Sequence, residues 1–244
     1  MEPATRTTKI VPSATLAIDA KAKKMKAEGA DILSFAAGEP DFDTPEHIKA
    51  AAMGALEAGF TKYTPSSGIP ELRQAIADKL KSDNGIEYQP SQITVSCGAK
   101  QACMNAILAL VNEGDEVLIP APYWVSYPEM VRIAGGEPFM VSTTAASGYK
   151  LTADQLRENI SPATKLLILN SPGNPTGAVY SESELVELAE VAIDEDIFIL
   201  SDEIYEKLIY GDAAHVSIAG FSKSVYERTV TVNGFSKAYA MTGW

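Results

Sequence analysis

Cysteine is scarce in this 244-residue chain: there are two, Cys97 and Cys103, and only two histidines, His47 and His215. The cysteines have no metal-ligand spacing and form no CxxC, and with so few histidines a zinc site is not expected. Two cysteines do not make a disulfide framework, which fits a reducing compartment. Positive charge is short as well. Lys and Arg number 20 against 32 Asp and Glu, for a net charge of −12, and there is no basic block. Nucleic acid and anionic membranes both need a basic surface, so neither is an expected partner. The four lysines within 21–26 read as the polar face of a helix. No apolar run reaches membrane-spanning length and residues 1–11 lack the apolar core of a signal peptide, so the expected location is cytoplasmic.

What is present is an ordinary globular balance, 46% hydrophobic and 21% charged, ample for one sizeable core and a second smaller unit. From residue 46 onward, helical patterns alternate with short apolar runs. Residues 46–58, 70–82, 99–111, 124–134, 153–159 and 182–194 read as helices; in the second, Leu72, Ile76 and Leu80 repeat at helical spacing. Residues 93–96, 116–119, 138–141, 165–169, 197–200 and 229–232 read as strands. Runs of Val, Ile and Leu separated by helices predict an α/β fold, a mostly parallel sheet covered on both faces in three αβα layers. Residues 1–45 break this rhythm: 14–29 reads as one helix and a turn-rich stretch follows. They are expected to form an arm and part of a second domain, with 46–244 the main domain.

An open parallel sheet places its ligands beyond the carboxyl ends of its strands, and four segments lie there. Ser96-Cys97-Gly98-Ala99-Lys100-Gln101 follows a strand and opens a helix, where small residues let backbone N–H groups approach an anion such as phosphate; a glycine chosen for a tight turn is the alternative. Asn170-Ser171-Pro172-Gly173-Asn174-Pro175-Thr176-Gly177 is stiffened by its prolines, so the Asn174 amide can be aimed, or the loop is simply a rigid turn. In Ser201-Asp202-Glu203-Ile204-Tyr205, Asp202 and Tyr205 are three apart and face the same way on a helical turn. An aspartate desolvated at a strand end needs a cation, unless it only caps a helix. Lys237, beside Ser236 and just after the apolar run 229–232, can be desolvated and so become a nucleophile toward a carbonyl. A phosphate cradle, an aimed amide, a carboxylate with a phenol and a lysine together match pyridoxal phosphate, with its phosphate, phenolic oxygen, ring nitrogen and aldehyde.

At these residues the chain resembles the class I, fold-type I pyridoxal phosphate aminotransferases, in particular the bacterial-type aspartate aminotransferase branch. The resemblance rests on Ala37-Gly38-Glu39-Pro40-Asp41-Phe42, Lys62-Tyr63-Thr64-Pro65, Pro122-Tyr123-Trp124-Val125-Ser126-Tyr127-Pro128, Asn174-Pro175-Thr176-Gly177, Ser201-Asp202-Glu203-Ile204-Tyr205 and Ser236-Lys237. It implies that Lys237 holds the cofactor as an aldimine and then shuttles the substrate proton. Asp202 would pair with the ring nitrogen, and Asn174 and Tyr205 with the phenolic oxygen. Trp124 would stack on the ring, with the phosphate held by backbone groups of Gly98, Ala99 and Lys100, and Ser236 would also bind the cofactor. Gly38, Trp124 and Asn174 would contact substrate. Lys100 would pair with the side-chain carboxylate of aspartate or glutamate, and with Thr15 would suit prephenate-accepting relatives. Tyr63 would reach the phosphate of a neighbouring subunit, implying a homodimer with shared sites.

The implied reaction is ping-pong transamination between an acidic L-amino acid and a 2-oxo acid. A different fold-type I reaction, such as β-elimination, and an inactive fragment remain open. Two departures stand out. Many relatives carry a phosphate-binding serine where this chain has Gly234, and the chain stops before the family's phosphate and carboxylate arginines. It is therefore expected to be the opening part, about three-fifths, of such an enzyme.

Overall fold

The structure, a computed structural model, describes residues 4–8, 10–35 and 38–244. The helices are α1 (Thr5–Thr8), α2 (Ala14–Ala27), α3 (Glu46–Glu57), α4 (Pro70–Asn84), α5 (Gly98–Leu110), α6 (Ser126–Ala134), α7 (Ala153–Asn159), α8 (Glu182–Asp194), α9 (Lys223–Arg228) and α10 (Phe235–Ala238). The strands are β1 (Glu116–Ala121), β2 (Glu137–Ser142), β3 (Thr164–Asn170), β4 (Phe198–Asp202) and β5 (Thr229–Val232). They form one sheet in the order β2-β1-β3-β4-β5, with every pairing parallel.

Alternation along each strand sends successive side chains to opposite faces, and the core divides accordingly. Val117, Ile119, Leu166, Ile168, Leu200 and Val232 pack with Ile107 of α5 and Met130 and Val131 of α6. Leu118, Leu167, Leu169 and Ile199 pack on the other face with Leu156 of α7 and Leu185 and Leu188 of α8. Burial on both sides explains why β1, β3 and β4 read as apolar runs, whereas the edge strand β2 is largely exposed and β5 alternates threonine and valine. Helix ends are specified locally: in α8, Ser181 accepts from the Glu184 N–H while the Glu184 carboxylate accepts from the Ser181 N–H at 2.7 Å. Thr152 and Gln155 repeat this box at the start of α7.

One expected strand is corrected. Residues 93–96 do not join the sheet. The Ile93 N–H donates to the Pro90 carbonyl at 3.3 Å, the Val95 N–H to the Ser67 carbonyl at 3.0 Å, and the Ser96 carbonyl accepts from the Gly98 N–H at 2.8 Å; these scattered bonds are not a ladder. β-Branched residues there reflect close packing instead, since Val95 lies against Gly68 so tightly that a Cβ on Gly68 would sit 2.5 Å from Val95 Cγ2. The short helices α1 and α9 were not expected, being too brief to carry a periodic signal.

Among the described residues no helix is long and apolar enough to cross a membrane. Large apolar side chains are exposed around the N-terminal segment and α3, among them Leu33, Phe35, Phe42, Leu56 and Phe60.

Candidate active site

Parallel pairing aligns the strand ends. Register places Asn170 beside Asp202 and Asp202 beside Val232, so β3, β4 and β5 finish in one row and the chemistry-bearing loops leave from it. Asn170 braces that row. Its Nδ2 donates to the Asp202 carbonyl at 2.9 Å, and its Oδ1 accepts from the Asn174 N–H at 2.7 Å.

Asp202 is 2% exposed. Its Oδ2 accepts from the Tyr127 hydroxyl at 2.6 Å and from the Cys103 thiol at 3.7 Å, while Oδ1 accepts from the Ile204 N–H at 3.2 Å. None of these donors is a cation. Burial pushes the carboxyl above its usual range, although the hydrogen bonds from Tyr127, Ile204 and Cys103 pull the other way. Burial, helped by the same carboxylate, raises the Tyr127 phenol and the Cys103 thiol, so both stay protonated donors. Sequence reasoning gave neither residue a role. Tyr127 also meets Trp124 edge-on, with ring centroids 5.2 Å apart and planes at 87°.

Tyr205 stands three residues after Asp202, and its hydroxyl accepts from Asn174 Nδ2 at 3.3 Å. Burial raises its pKa, with the Asn174 bond opposing. The phenol therefore keeps its own proton and can donate it onward. Lys237, on α10, has its amine 5.6 Å from the Tyr205 ring centroid and donates to the Gly38 carbonyl. Burial lowers its pKa, with Glu39 opposing, as a nucleophilic amine requires.

The segment containing Gly38 lies across the lysine loop. Thr242 donates to Glu39 at 3.2 Å, Thr44 donates to the Ala240 carbonyl, and Trp244 Nε1 donates to the Thr44 hydroxyl at 3.0 Å. Ala37 lies outside the described residues.

Gly98 opens α5 with φ +80°, a left-handed conformation that suits glycine. A Cβ there would meet nothing within 4 Å. The Gly98 N–H itself donates to the Ser96 carbonyl at 2.8 Å, and the N–H groups of Ala99 and Lys100 follow in the first turn of α5, where a helix has no intrahelical acceptors. The Lys100 amine sits 5.0 Å from the Trp124 ring centroid. Ser236 occupies the turn before Lys237, its carbonyl accepting from the Met241 N–H at 3.1 Å. At Gly234, φ is 175° and a Cβ would meet only Ile204 Cδ1, at 2.9 Å.

Two expected site residues stand apart. The Thr15 hydroxyl lies 3.3 Å from Ser13 Oγ at the start of α2, and among the described residues no hydrogen bond ties it to the Lys237 group. Tyr63 is fully exposed.

Comparison with known proteins agrees with this constellation. The family model "Aminotransferase class I and II" matches residues 30–244. An aspartate aminotransferase of Bacillus sp. (strain YM-2) is 52% identical over 99% of this chain and 62% of its own length. A probable aspartate/prephenate aminotransferase of Aquifex aeolicus is 53% identical, over 99% of this chain and 61% of its own. The aspartate aminotransferase from Thermus thermophilus, solved with maleate, superposes with a TM-score of 0.96 at 48% identity, covering 100% of this chain and 63% of that one. The chain spans about three-fifths of the length of the relatives it matches. With the family model covering most of its residues and a lysine, a buried aspartate and an asparagine–tyrosine pair gathered at the strand ends, the chain belongs to the class I and II aminotransferases.

Proposed function

We propose that this chain carries a pyridoxal phosphate site, and that the whole protein transfers the amino group of an acidic L-amino acid, aspartate or glutamate, to a 2-oxo acid. The observation that carries the reading is Asp202, a buried carboxylate held by three neutral donors and lacking a cation. A protonated ring nitrogen is the partner it needs. Bound there, pyridoxal phosphate supplies an aldehyde for amines and a ring that takes up the electron pair left at the substrate Cα.

The chain's own groups divide the remaining work. Lys237, whose amine is held below its usual pKa by burial, would hold the cofactor at its aldehyde and would move the proton at the substrate Cα. Asp202 holds the proton on the ring nitrogen. Tyr205, oriented by the Asn174 amide, would donate a hydrogen bond to the phenolic oxygen. Trp124 would cover the ring face, and the first turn of α5 with Ser236 would hold the phosphate.

Lys100 and Gly38 would meet the substrate, Lys100 through the side-chain carboxylate. The named relatives act on aspartate or prephenate, and maleate, in the Thermus structure, is a dicarboxylate. Thr15 in its present position does not distinguish a prephenate-accepting enzyme.

Residues 1–45 fit an arm and part of a small domain, and 46–244 the cofactor domain. The exposed Tyr63 and the apolar surface around Leu33, Phe35 and Phe42 suit coverage by a second copy in a homodimer.

Titration of the protein with pyridoxal phosphate, borohydride reduction and peptide mapping test the assignment. The expected result is a visible band and a label on Lys237, both lost in Lys237→Ala along with turnover. Turnover retained in Lys237→Ala would falsify the reading. Aspartate and 2-oxoglutarate are expected to give oxaloacetate; pyruvate release would indicate β-elimination instead.

A further inference from the structure

The turn that carries Asp202 and Tyr205 has a second face. Residues three apart on a turn point the same way, and here two such pairs interleave: Asp202 with Tyr205 toward the site, and Glu203 with Glu206 away from it. Both glutamates are buried, at 1% and 5% exposure. Glu203 Oε1 accepts from the Ser201 and Ser217 hydroxyls at 2.8 and 2.7 Å, and Oε2 accepts from His215 Nε2 at 3.0 Å. Its N–H donates to the Val232 carbonyl at 2.8 Å, tying the turn to the strand that leads to Lys237. Glu206 Oε1 accepts from Lys79, and Oε2 accepts from Asn84 Nδ2 at 2.9 Å. Lys79 in turn donates to Asn84 at 2.8 Å.

Glu203, Glu206 and His215 have ligand atoms close enough together to suggest a metal. The carboxylate oxygens are instead already taken by the hydroxyl, imidazole, amide and ammonium donors just named. The group is a set of anchors. Burial alone would raise the Glu206 pKa, but the bonds from Lys79 and Asn84 outweigh it and hold the carboxyl below its usual range.

We propose that Glu203 and Glu206 are positioning residues for the cofactor chemistry, fixing from behind the turn whose front presents Asp202 and Tyr205. The inference rests on the pyridoxal phosphate reading. Its geometric basis is the tolerance of the site. The Asn174–Tyr205 contact, at 3.3 Å, is already near the long end of a hydrogen bond. A small displacement of Tyr205 carries the contact beyond that range. Glu203 is covalently next to Asp202, so the bonds that fix Glu203 also limit how far the Asp202 carboxylate can shift under Tyr127. Buried carboxylates bonded through every oxygen resist such shifts because each donor would be left unpaired.

The test compares Glu203→Gln, Glu206→Gln and Lys79→Met with Leu188→Ala, a core truncation in α8 that lowers stability away from this turn. Crystal structures of the cofactor-free proteins report the Asn174–Tyr205 and Tyr127–Asp202 contacts directly. Pyridoxal phosphate titrations report affinity and the pH midpoint of the visible band. The anchor variants are expected to lose one or both contacts, weaken cofactor binding by on the order of tenfold and move the pH midpoint. Leu188→Ala should lower Tm and leave the midpoint in place. Intact contacts and an unmoved midpoint in anchor variants that are merely less stable overturn the proposal. A missing band in the unmodified protein instead overturns the cofactor reading, and this inference falls with it.

Discussion

The Tyr127 hydroxyl donates to Asp202 Oδ2 at 2.6 Å, joining the start of α6 to the end of β4 in an interior closed to water. Because the Tyr127 ring also meets Trp124 edge-on, one side chain links the residue proposed to cover the cofactor ring to the one proposed to protonate it. Tyr127→Phe removes the hydroxyl and keeps the packing. Hydrogen bonds to charged groups contribute about 1.5–3 kcal/mol, so affinity for pyridoxal phosphate should fall ~10- to 100-fold. Fluorescence titration measures this directly. Unchanged affinity would mean that the Ile204 N–H and the Cys103 thiol suffice to hold Asp202.

The same burial makes Asp202 a liability without its cation. Its pKa is raised in the fold, so the folded state binds the proton more tightly than the unfolded chain does. Stability from this group is therefore full below the ordinary aspartate range and is lost as pH rises through the folded pKa. Asp202→Asn should make the cofactor-free protein more stable than the parent at neutral pH, with the gap closing in acid. Denaturant midpoints across pH measure it; a constant gap at all pH values would remove charge burial as the cause. The substitution should also abolish turnover, since an amide cannot hold the ring proton.

Lys100 is exposed, but its amine lies over the Trp124 ring, which places a cation beside the proposed ring site. Lys100→Ser should lower kcat/KM for aspartate at least about tenfold more than for alanine, as expected when one partner of a close charge pair is removed. Equal losses on the two substrates would show that the lysine serves the cofactor alone.

Much of this arrangement is legible in the sequence because the sheet is buried on both faces. β1, β3 and β4 announce themselves as apolar runs, and the residues at or soon after a strand's end are where a ligand can be met. Asp202, Asn174, Tyr205 and Lys237 are found that way, and the structure brings them together. Residues 93–96 fail the same reasoning: Val95 and Ile93 look like strand residues, but apolar content cannot distinguish a ladder from a segment packed against Gly68. Tyr127 lies inside a recognisable motif, yet no spacing rule says that a helix residue will end on a carboxylate 75 positions later. Cys103 was weighed only as a metal ligand. Asn170, Glu203 and Glu206 likewise act through long-range side-chain bonds, which leave no periodic trace.

The strap over the lysine loop bears on how the site comes into being. Gly38 meets Lys237, Glu39 meets Thr242, and Thr44 meets both Ala240 and Trp244, contacts between residues 196 to 203 positions apart. Closing so long a loop costs chain entropy that local helices and neighbouring strands do not incur. High contact order of this kind delays the pairings it describes. The parallel core is expected to collapse first and the lysine to be seated last, so during refolding the capacity to capture cofactor should trail the return of helical structure.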